Sequence, residues 1–505
     1  CRYNNMPGVV VQNQNRMLQK YAKVPVFIAC NTENGGKGAC ANGTYIGSGI
    51  KIGATQKAEH AYNLGKFANV EARALGCNMA FSPVCDIHYN WENQEIINRA
   101  FGNDVERVAT MSKAYMDGLH TVQNFSCVAK HFPGNGQDFR DAHLSNNINE
   151  FGEEQWMETY GHVYKTLIEG GLDGIMGGHI MMPTYMREQN PDIKDEEMLP
   201  ATLCPEIMTG LLREKLGFNG MVVTDASHMV AMTSAMKRSE MLPTAIAAGC
   251  DLFLFFNDPD EDFGYMMDGY KNGIITDERL EEALTRILGI KASLGLHKKA
   301  KTEIMMPKDE AMSKIGLEEN KAIAKEVADK GIVLVKNTED IFPISLEKHK
   351  RVLLVEVKGP ESAYGKIMAA MSGGKKKPIE LMKEKLEKEG FEVEIFKLNL
   401  LKLLKPNGVV ITNIEDYYGK KLVTDKSINY GLHKGKVMTI TFSLESCFTK
   451  IFLKNNDRFY YYKIPFVGVY NIYNFLIILI CAILIFQHGI HYRISYFLSA
   501  YFIST

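Results

Sequence analysis

Short apolar runs alternate with longer amphipathic stretches through the first 300 residues of the 505-residue chain. The runs are Gly8–Val11 (GVVV), Val26–Cys30 (VFIAC), Met79–Ile87 (MAFSPVCDI), Ser126–Phe132 (SCVAKHF), Gly174–His179 (GIMGGH), Met221–Asp225 (MVVTD) and Cys250–Phe256 (CDLFLFF). Between them, apolar residues recur at helical spacing near 55–76, 104–124, 153–171, 203–216, 239–249 and 278–294. Strand-length runs separated by helix-length segments predict a parallel sheet flanked by helices. One unit, ATLCPEIMTGLLREKLGFNGMVVTDAS (201–227), shows the pattern closely. Thr202 is placed to cap a helix, Pro205 and Glu206 suit its first turn, and Leu203, Ile207, Leu211 and Leu212 form an apolar stripe. Gly217 ends the helix, Asn219-Gly220 turns the chain, and a buried strand follows. The expected fold class is α/β, a (β/α)8-like barrel of TIM type over residues 1–300.

Several of these runs end in a titratable group. Asp86 follows FSPVC, Lys130 and His131 follow SCVA, His179 follows GIMGG, and Asp225 follows MVVT. Burying a polar group costs free energy each time. Polar residues repeated in register therefore point to one pocket at the carboxyl edge of the sheet, where such barrels build their sites. The stretch KHFPGNGQDFRDAHLSNN (130–147) adds a second histidine, a pair of aspartates ahead of it and a Pro-Gly-x-Gly turn. It reads as chemistry on a mobile loop, with Gly134 and Gly136 as its hinge.

Composition narrows the classes. A hydrophobic fraction of 46% and a charged fraction of 23% are those of a soluble globular protein, and the length predicts two or three domains. A net charge of −1 gives no electrostatic attraction to nucleic acid or an anionic membrane. The ten cysteines are scattered, with no C-x-x-C pair and no ligand-like spacing, so reduced thiols are expected, and no metal or cofactor. The first residue is Cys1 and no charged-then-apolar leader follows, so the chain reads as truncated at this end. A cytoplasmic location is expected on that ground alone, with the compartment otherwise open.

Four motifs together carry a family resemblance: KHFPGNGQDFRDAH, LPATLCPEIMTGLLREKLGFNGMVVTDASHM, SPVCDI with NRAFG, and NTENGG. Over about residues 8–300 the chain resembles glycoside hydrolase family 3, most closely its N-acetyl-β-glucosaminidase branch. The resemblance implies a carboxylate nucleophile, matched by Asp225, and a loop-borne proton donor of Asp-x-His form, matched by Asp141 and His143. It also implies sugar-binding positions at Asp86, Arg99, Lys130 and His131, and less closely at His179. Imidazole can give or take a proton near neutral pH, and a carboxylate beside it orients the ring. The family's Asp-x-Glu-Gly-Gly reads here as Asn31-Thr32-Glu33-Asn34-Gly35-Gly36, and the position after the nucleophile, often acidic, is Ala226.

Downstream, residues 301–330 read as a Lys/Glu-rich helical linker. ADKGIVLVKNTEDIFPIS (328–345) is similar to the entry into the family's second domain, and a partial α/β-sandwich is expected over 331–438. RVLLVEV, PIELMKEKLEKEG and FEVEIF form a β-α-β pattern there. Residues 439–505 depart from the rest, holding eight of the 23 tyrosines and nine of the 25 phenylalanines but two of the 43 glycines. Residues 464–486 carry no formal charge and are long enough to span a bilayer. Ile, Phe, Tyr, Asn and Lys share AT-rich codons, so a shifted reading frame is the preferred account of this tail. A membrane anchor and a misread core segment are the alternatives, and membrane contact is expected only if the tail is genuine.

The leading functional expectation is a retaining exo-β-N-acetylglucosaminidase acting on cell-wall or chitin-type oligosaccharides, with carbohydrate as the partner. A phosphorylase or β-glucosidase of the same family is the near alternative. From other classes come a metallohydrolase with His131, Asp141, His143 and His179 as ligands, and an inert fragment or sugar-binding module.

Overall fold

The computed structural model describes residues 6–297, 308–337, 341–358 and 378–399, together with five short strands between 410 and 464. The chain divides into two compact units, Cys1–Leu334 and Val335–Thr505.

The first unit is built on a parallel sheet of β1 (Ala29–Cys30), β2 (Met79–Ala80), β3 (Ser126–Phe132), β5 (Gly174–Gly177), β7 (Met221–Ala226) and β8 (Leu252–Leu254), hydrogen-bonded in that order. Two further short strands, β4 (Asn147–Ile148) and β6 (Ile180–Met181), pair with each other. Parallel neighbours in sequence order curl the sheet into a partial barrel. This corrects the expectation of eight strands: among the described residues the sheet has six.

Two local choices explain the difference. The run GVVV is not a strand but the first turn of a helix, Gly8–Tyr21. Gln12, Asn15 and Gln19 on that helix are buried, and their amides reach the backbone carbonyls of Ala74, Leu75 and Val26. Those bonds outweigh the strand preference of the valines. The seam between β8 and β1 is filled by the helix Asp277–Ser293. Its Ile287 and Ile290 join Phe27, Ala29, Leu252 and Leu254 around a core of Met79, Val128, Met176, Met221 and Val223.

The larger core lies outside the sheet. Helices Ala58–Ala74 and Val105–His120 meet backbone to backbone, because a Cβ on Gly65 or Gly118 would fall 2.1 or 2.0 Å from a carbonyl of the other helix. Trp156, Tyr160 and Tyr164 stand on a helix of three consecutive pieces, Glu153–Trp156, Met157–Gly161 and His162–Glu169, and all three are fully buried. The helix predicted from Thr202 starts after Pro205, at Glu206–Lys215. Thr202 is not its cap, since its hydroxyl is committed to His179. The seven cysteines of the described residues are free thiols, most of them buried.

The helix Glu318–Lys330, expected as part of a linker, belongs to the first unit. Val327 is buried, and Asn320 donates to Glu71 Oε1 at 2.7 Å. Glu71 is itself fully buried and takes further bonds from Thr44 and from Gly316 N–H. A buried carboxylate requires such donors, so this helix is docked and its Lys/Glu content marks only its outer face.

In the second unit, β9 (Arg351–Lys358) and β10 (Glu392–Asn399) run parallel, with the helix Pro378–Lys388 between them in sequence. Further on, Val410–Asn413 and Ser427–Tyr430 pair in parallel, and Thr439–Leu444, Thr449–Asn455 and Arg458–Ile464 form an antiparallel meander. The spanning segment expected over 464–486 lies outside the described residues beyond Ile464. Among the described residues, no helix is long and apolar enough to cross a membrane.

Candidate active site

The carboxyl edge of the sheet gathers the strand-end residues. After β2 the chain bridges Val84 to Lys130 of β3, which lays Asp86 beside His131. Asp86 is fully buried. Its Oδ1 accepts the backbone N–H groups of His131 (3.2 Å) and Asn135 (2.8 Å), and its Oδ2 accepts from His131 Nδ1 at 2.7 Å. An ionised carboxylate can only accept, so the Nδ1 of His131 carries the hydrogen. Nε2 is left facing Arg99 Nη2 at 3.5 Å and Asp225 Oδ2 at 3.8 Å.

Glu33, the acid of the NTENGG motif, organises the cations. Arg99 forks onto both of its oxygens at 2.9 Å, and Lys130 Nζ lies 2.6 Å from Oε1 and 3.0 Å from Asn31 Oδ1. Burial alone would push the Glu33 carboxyl up, but Lys130 and Arg99 hold it well below the usual carboxylate range. Paired in this way, the two positive charges stay ordered and buried at the edge of the site.

Asp225 ends β7 with Oδ1 accepting the N–H of Ala226 at 2.7 Å. Burial works to raise its carboxyl, and His131 opposite, His179, the Ala226 N–H and Lys130 overcome that and hold it below its ordinary value. His179 stands behind it. Its Nδ1 meets the Thr202 hydroxyl at 2.8 Å, and its Nε2 meets the carbonyl of Ala226 at 3.1 Å. A carbonyl only accepts, so Nε2 holds the hydrogen and Nδ1 accepts from Thr202. Burial lowers the pKa of His179, which braces the turn that follows Asp225. Both of its nitrogens are thus engaged within the protein.

The loop pair closes the site from the other side. His143 Nδ1 lies 2.7 Å from Asp141 Oδ1, which also accepts the backbone N–H of His143 at 2.9 Å, so Nε2 is the free nitrogen of the ring. The loop is docked onto the turn after Asp225: Ala231 N–H donates to Ala142 O at 3.1 Å, and Ala142, Ala226, Met229 and Ala231 pack as one apolar patch. Its base is pinned rather than hinged. Gly134 and Gly136 have φ of 122° and 117°, and added Cβ atoms would strike the Tyr160 ring and the Ile87 carbonyl. Trp156 Nε1 and Tyr160 OH hold the carbonyls of Pro133 and Asn135. Exposure is confined to the tip, where His143, Phe139 and Leu144 face solvent.

Glu95 lies at the centre of the arrangement and was not anticipated. One of its oxygens, with Asp141 and His143, forms a group of ligand atoms all within 4.8 Å of one another. The same residue does so again with His131 and Asp225. Glu95 Oε2 accepts from Asn135 Nδ2 at 2.8 Å. The nucleophile candidate and the proton-donor candidate therefore both lie close to Glu95. Its only signal in the sequence was position, an acid between Asp86 and Arg99. The metal set of His131, Asp141, His143 and His179 does not assemble: both nitrogens of His179 have protein partners, and among the described residues the groups that could converge on an ion include Glu95 instead.

A family model described as the glycosyl hydrolase family 3 N-terminal domain matches residues 4–290. The chain belongs to glycosyl hydrolase family 3. The match contains every site residue from Glu33 to Asp225. Within the family, a protein of Cellulomonas fimi named β-N-acetylglucosaminidase/β-glucosidase is 39% identical over 379 residues, covering 75% of this chain and 65% of that protein. A β-hexosaminidase of Methylobacillus flagellatus is 31% identical over 208 residues, 41% of this chain and 55% of the other. The chain thus spans between about half and two thirds of the length of these relatives. A solved β-glucoside phosphorylase superposes with a TM-score of 0.72 at 38% identity, covering 85% of this chain and 73% of that one. A family 3 β-N-acetylglucosaminidase from Paenibacillus shares the fold, with a TM-score of 0.63 at 23% identity over 84% of this chain and 82% of that one.

Proposed function

We propose that this family 3 chain is a retaining exo-β-N-acetylglucosaminidase that removes terminal N-acetylglucosamine from cell-wall or chitin-type oligosaccharides. One observation supports the reading: a Glu95 oxygen lies within 4.8 Å of ligand atoms of Asp141 and His143, and likewise of His131 and Asp225. In the first step Asp225 attacks the anomeric carbon while protonated His143 gives its Nε2 hydrogen to the departing oxygen. In the second, the same nitrogen takes a proton from water as the oxygen bonds to that carbon and the ester to Asp225 breaks. Asp86, Lys130, Arg99 and His131 bind the terminal ring through charge-assisted hydrogen bonds to its hydroxyls. The names of the Cellulomonas and Methylobacillus relatives support the N-acetylglucosaminide as substrate.

Likeness to a β-glucoside phosphorylase motivates the second reading, in which phosphate replaces water on a glucoside. Aryl glycosides of N-acetylglucosamine and of glucose, each with and without phosphate, separate the two. The first reading expects faster release from the N-acetylglucosaminide and no gain from phosphate. Asp225→Ala should abolish turnover, and survival of most of the rate would remove the assignment. An inert fragment would bind sugar and release no aglycone from either substrate.

A further inference from the structure

We propose that the rings of Phe255 and His228 form the platform on which the first sugar of the leaving group stacks. The inference rests on the glycosidase reading and adds a seat for the part of the substrate beyond the scissile bond. It begins with a strained residue. Phe255 follows β8 with a φ of 66°, in the left-handed region. The other non-glycine residues with positive φ among the described residues are Gln56 and Asn124, and a bulky ring resists this conformation more than either. Such strain persists only where the surroundings impose it, and it gathers at working sites.

The constraint comes from the turn that carries Asp225. Strands β7 and β8 pair Ala226 with Leu254. One residue on, Ser227 N–H donates to Leu254 O at 2.9 Å and Ser227 Oγ to Phe255 O at 2.6 Å. Arg238, forked onto Asp262 at 2.7 Å, adds a bond from Nη2 to Phe255 O at 3.2 Å. The strain does not serve core packing, since Phe255 is 39% exposed and its neighbour Phe256 63%. What it achieves is a ring contact: Phe255 and the exposed His228 adjoin with centroids 5.8 Å apart and planes inclined by 32°. His228 lies in the same turn onto which the Asp141–His143 loop docks, through Ala231 N–H to Ala142 O and Val230 N–H to His143 O. A leaving group protonated by His143 departs past this turn. In the proposed reading the terminal ring is gripped from β2, β3 and the segment bearing Arg99, which leaves the β8 side for the ring that follows. The C–H-bearing face of a β-linked pyranose is apolar, and it suits a partly exposed aromatic surface with polar groups around it.

The test compares the full chain with Phe255→Gly, Phe255→Tyr and His228→Ala, with phosphate present so that water and phosphate can both serve as acceptor. For each protein, kcat/KM is measured on the β-1,4-linked disaccharide of N-acetylglucosamine and on the β-fluoride of the same sugar, whose leaving group has no ring. Glycine accepts the left-handed backbone, so Phe255→Gly removes the ring without adding strain. The ratio of disaccharide to fluoride should fall about fivefold or more in Phe255→Gly and by a smaller factor in His228→Ala. In Phe255→Tyr it should stay within about twofold of the unaltered ratio. An unchanged ratio in both Phe255→Gly and His228→Ala overturns the inference. So does an equal loss on the two substrates, which would mark a support for Asp225 rather than a seat for sugar. Should Phe255→Gly fail to fold, the ratio in His228→Ala decides alone. Turnover of the fluoride but not the disaccharide by the unaltered chain overturns the inference and leaves glycosyl transfer standing. Turnover of neither removes the N-acetylglucosaminidase reading itself, and this inference with it.

Discussion

The two edges of the parallel sheet both bury aspartates and use them in opposite ways. At the amino edge, Asp251 precedes β8 and is saturated: Arg213, Arg279 and Arg286 approach at 2.9, 2.6 and 3.4 Å, and the Val222 N–H adds a bond at 2.8 Å. Asp173, preceding β5, likewise accepts from Cys127 N–H and His120. At the carboxyl edge, Asp225 has one backbone N–H, and Nε2 of His131 stands 3.8 Å away. A saturated carboxylate clamps strands together. One that is ionised but incompletely bonded keeps lone pairs for a reacting atom. The fold thus separates stability from chemistry by a strand's length, and the same residue type serves both.

The largest effects should invert between the edges. Asp225→Asn should lower turnover of an aryl glycoside by about 10⁴-fold or more while the melting temperature barely moves. Asp251→Asn should leave three arginines without a countercharge and cost about 3–5 kcal/mol in denaturant unfolding, with turnover of the folded fraction retained. Unfolding by the first variant and clean inactivation by the second would erase the contrast. Next in size, His143→Ala should slow turnover by about 10²–10⁴-fold, and most for substrates with poor leaving groups.

A pH profile sharpens the same point. Asp225 is held below its ordinary 3.8, so its ionised form is favoured in the folded protein. It contributes stability above the unfolded pKa, and that contribution is lost as pH falls through the folded value. Any decline in kcat/KM above pH 3.8 should therefore belong to another group. Smaller again, Thr202→Val strands the buried Nδ1 of His179 and should cost about 1–3 kcal/mol of stability. Smallest is the exposed pair of Arg16 and Asp309, where Asp309→Asn should change stability by less than about 1 kcal/mol.

What could be read from the sequence follows the physics of each element. Strands β3, β5 and β7 and the helices near 58–74, 105–120 and 277–293 were legible because their apolar period is long and unbroken. Asp86, Lys130, His131 and Asp225 were legible as polar groups ending buried runs. GVVV was misread because its partners, Ala74 and Leu75, lie more than sixty residues away, beyond any local pattern. Thr202 was misassigned for the same reason, since its acceptor is a histidine on another strand end. Glu95 left no local trace, and Glu33 only its place in NTENGG: each acquires its role from groups that the fold brings to it. The glycines of the loop were recognised, but as joints. Their neighbours Tyr160 and Ile87 make them points of close approach.

The helix Asp277–Ser293 has a practical consequence. It serves as the missing staves of the barrel, and Leu294 and Leu296 beyond it pack on Phe27. A shortened protein ending before Asp277 would keep every residue around the sugar yet lose the wedge between the first and last strands. Any trimmed version intended for crystals or engineering must therefore carry the chain through at least Leu296.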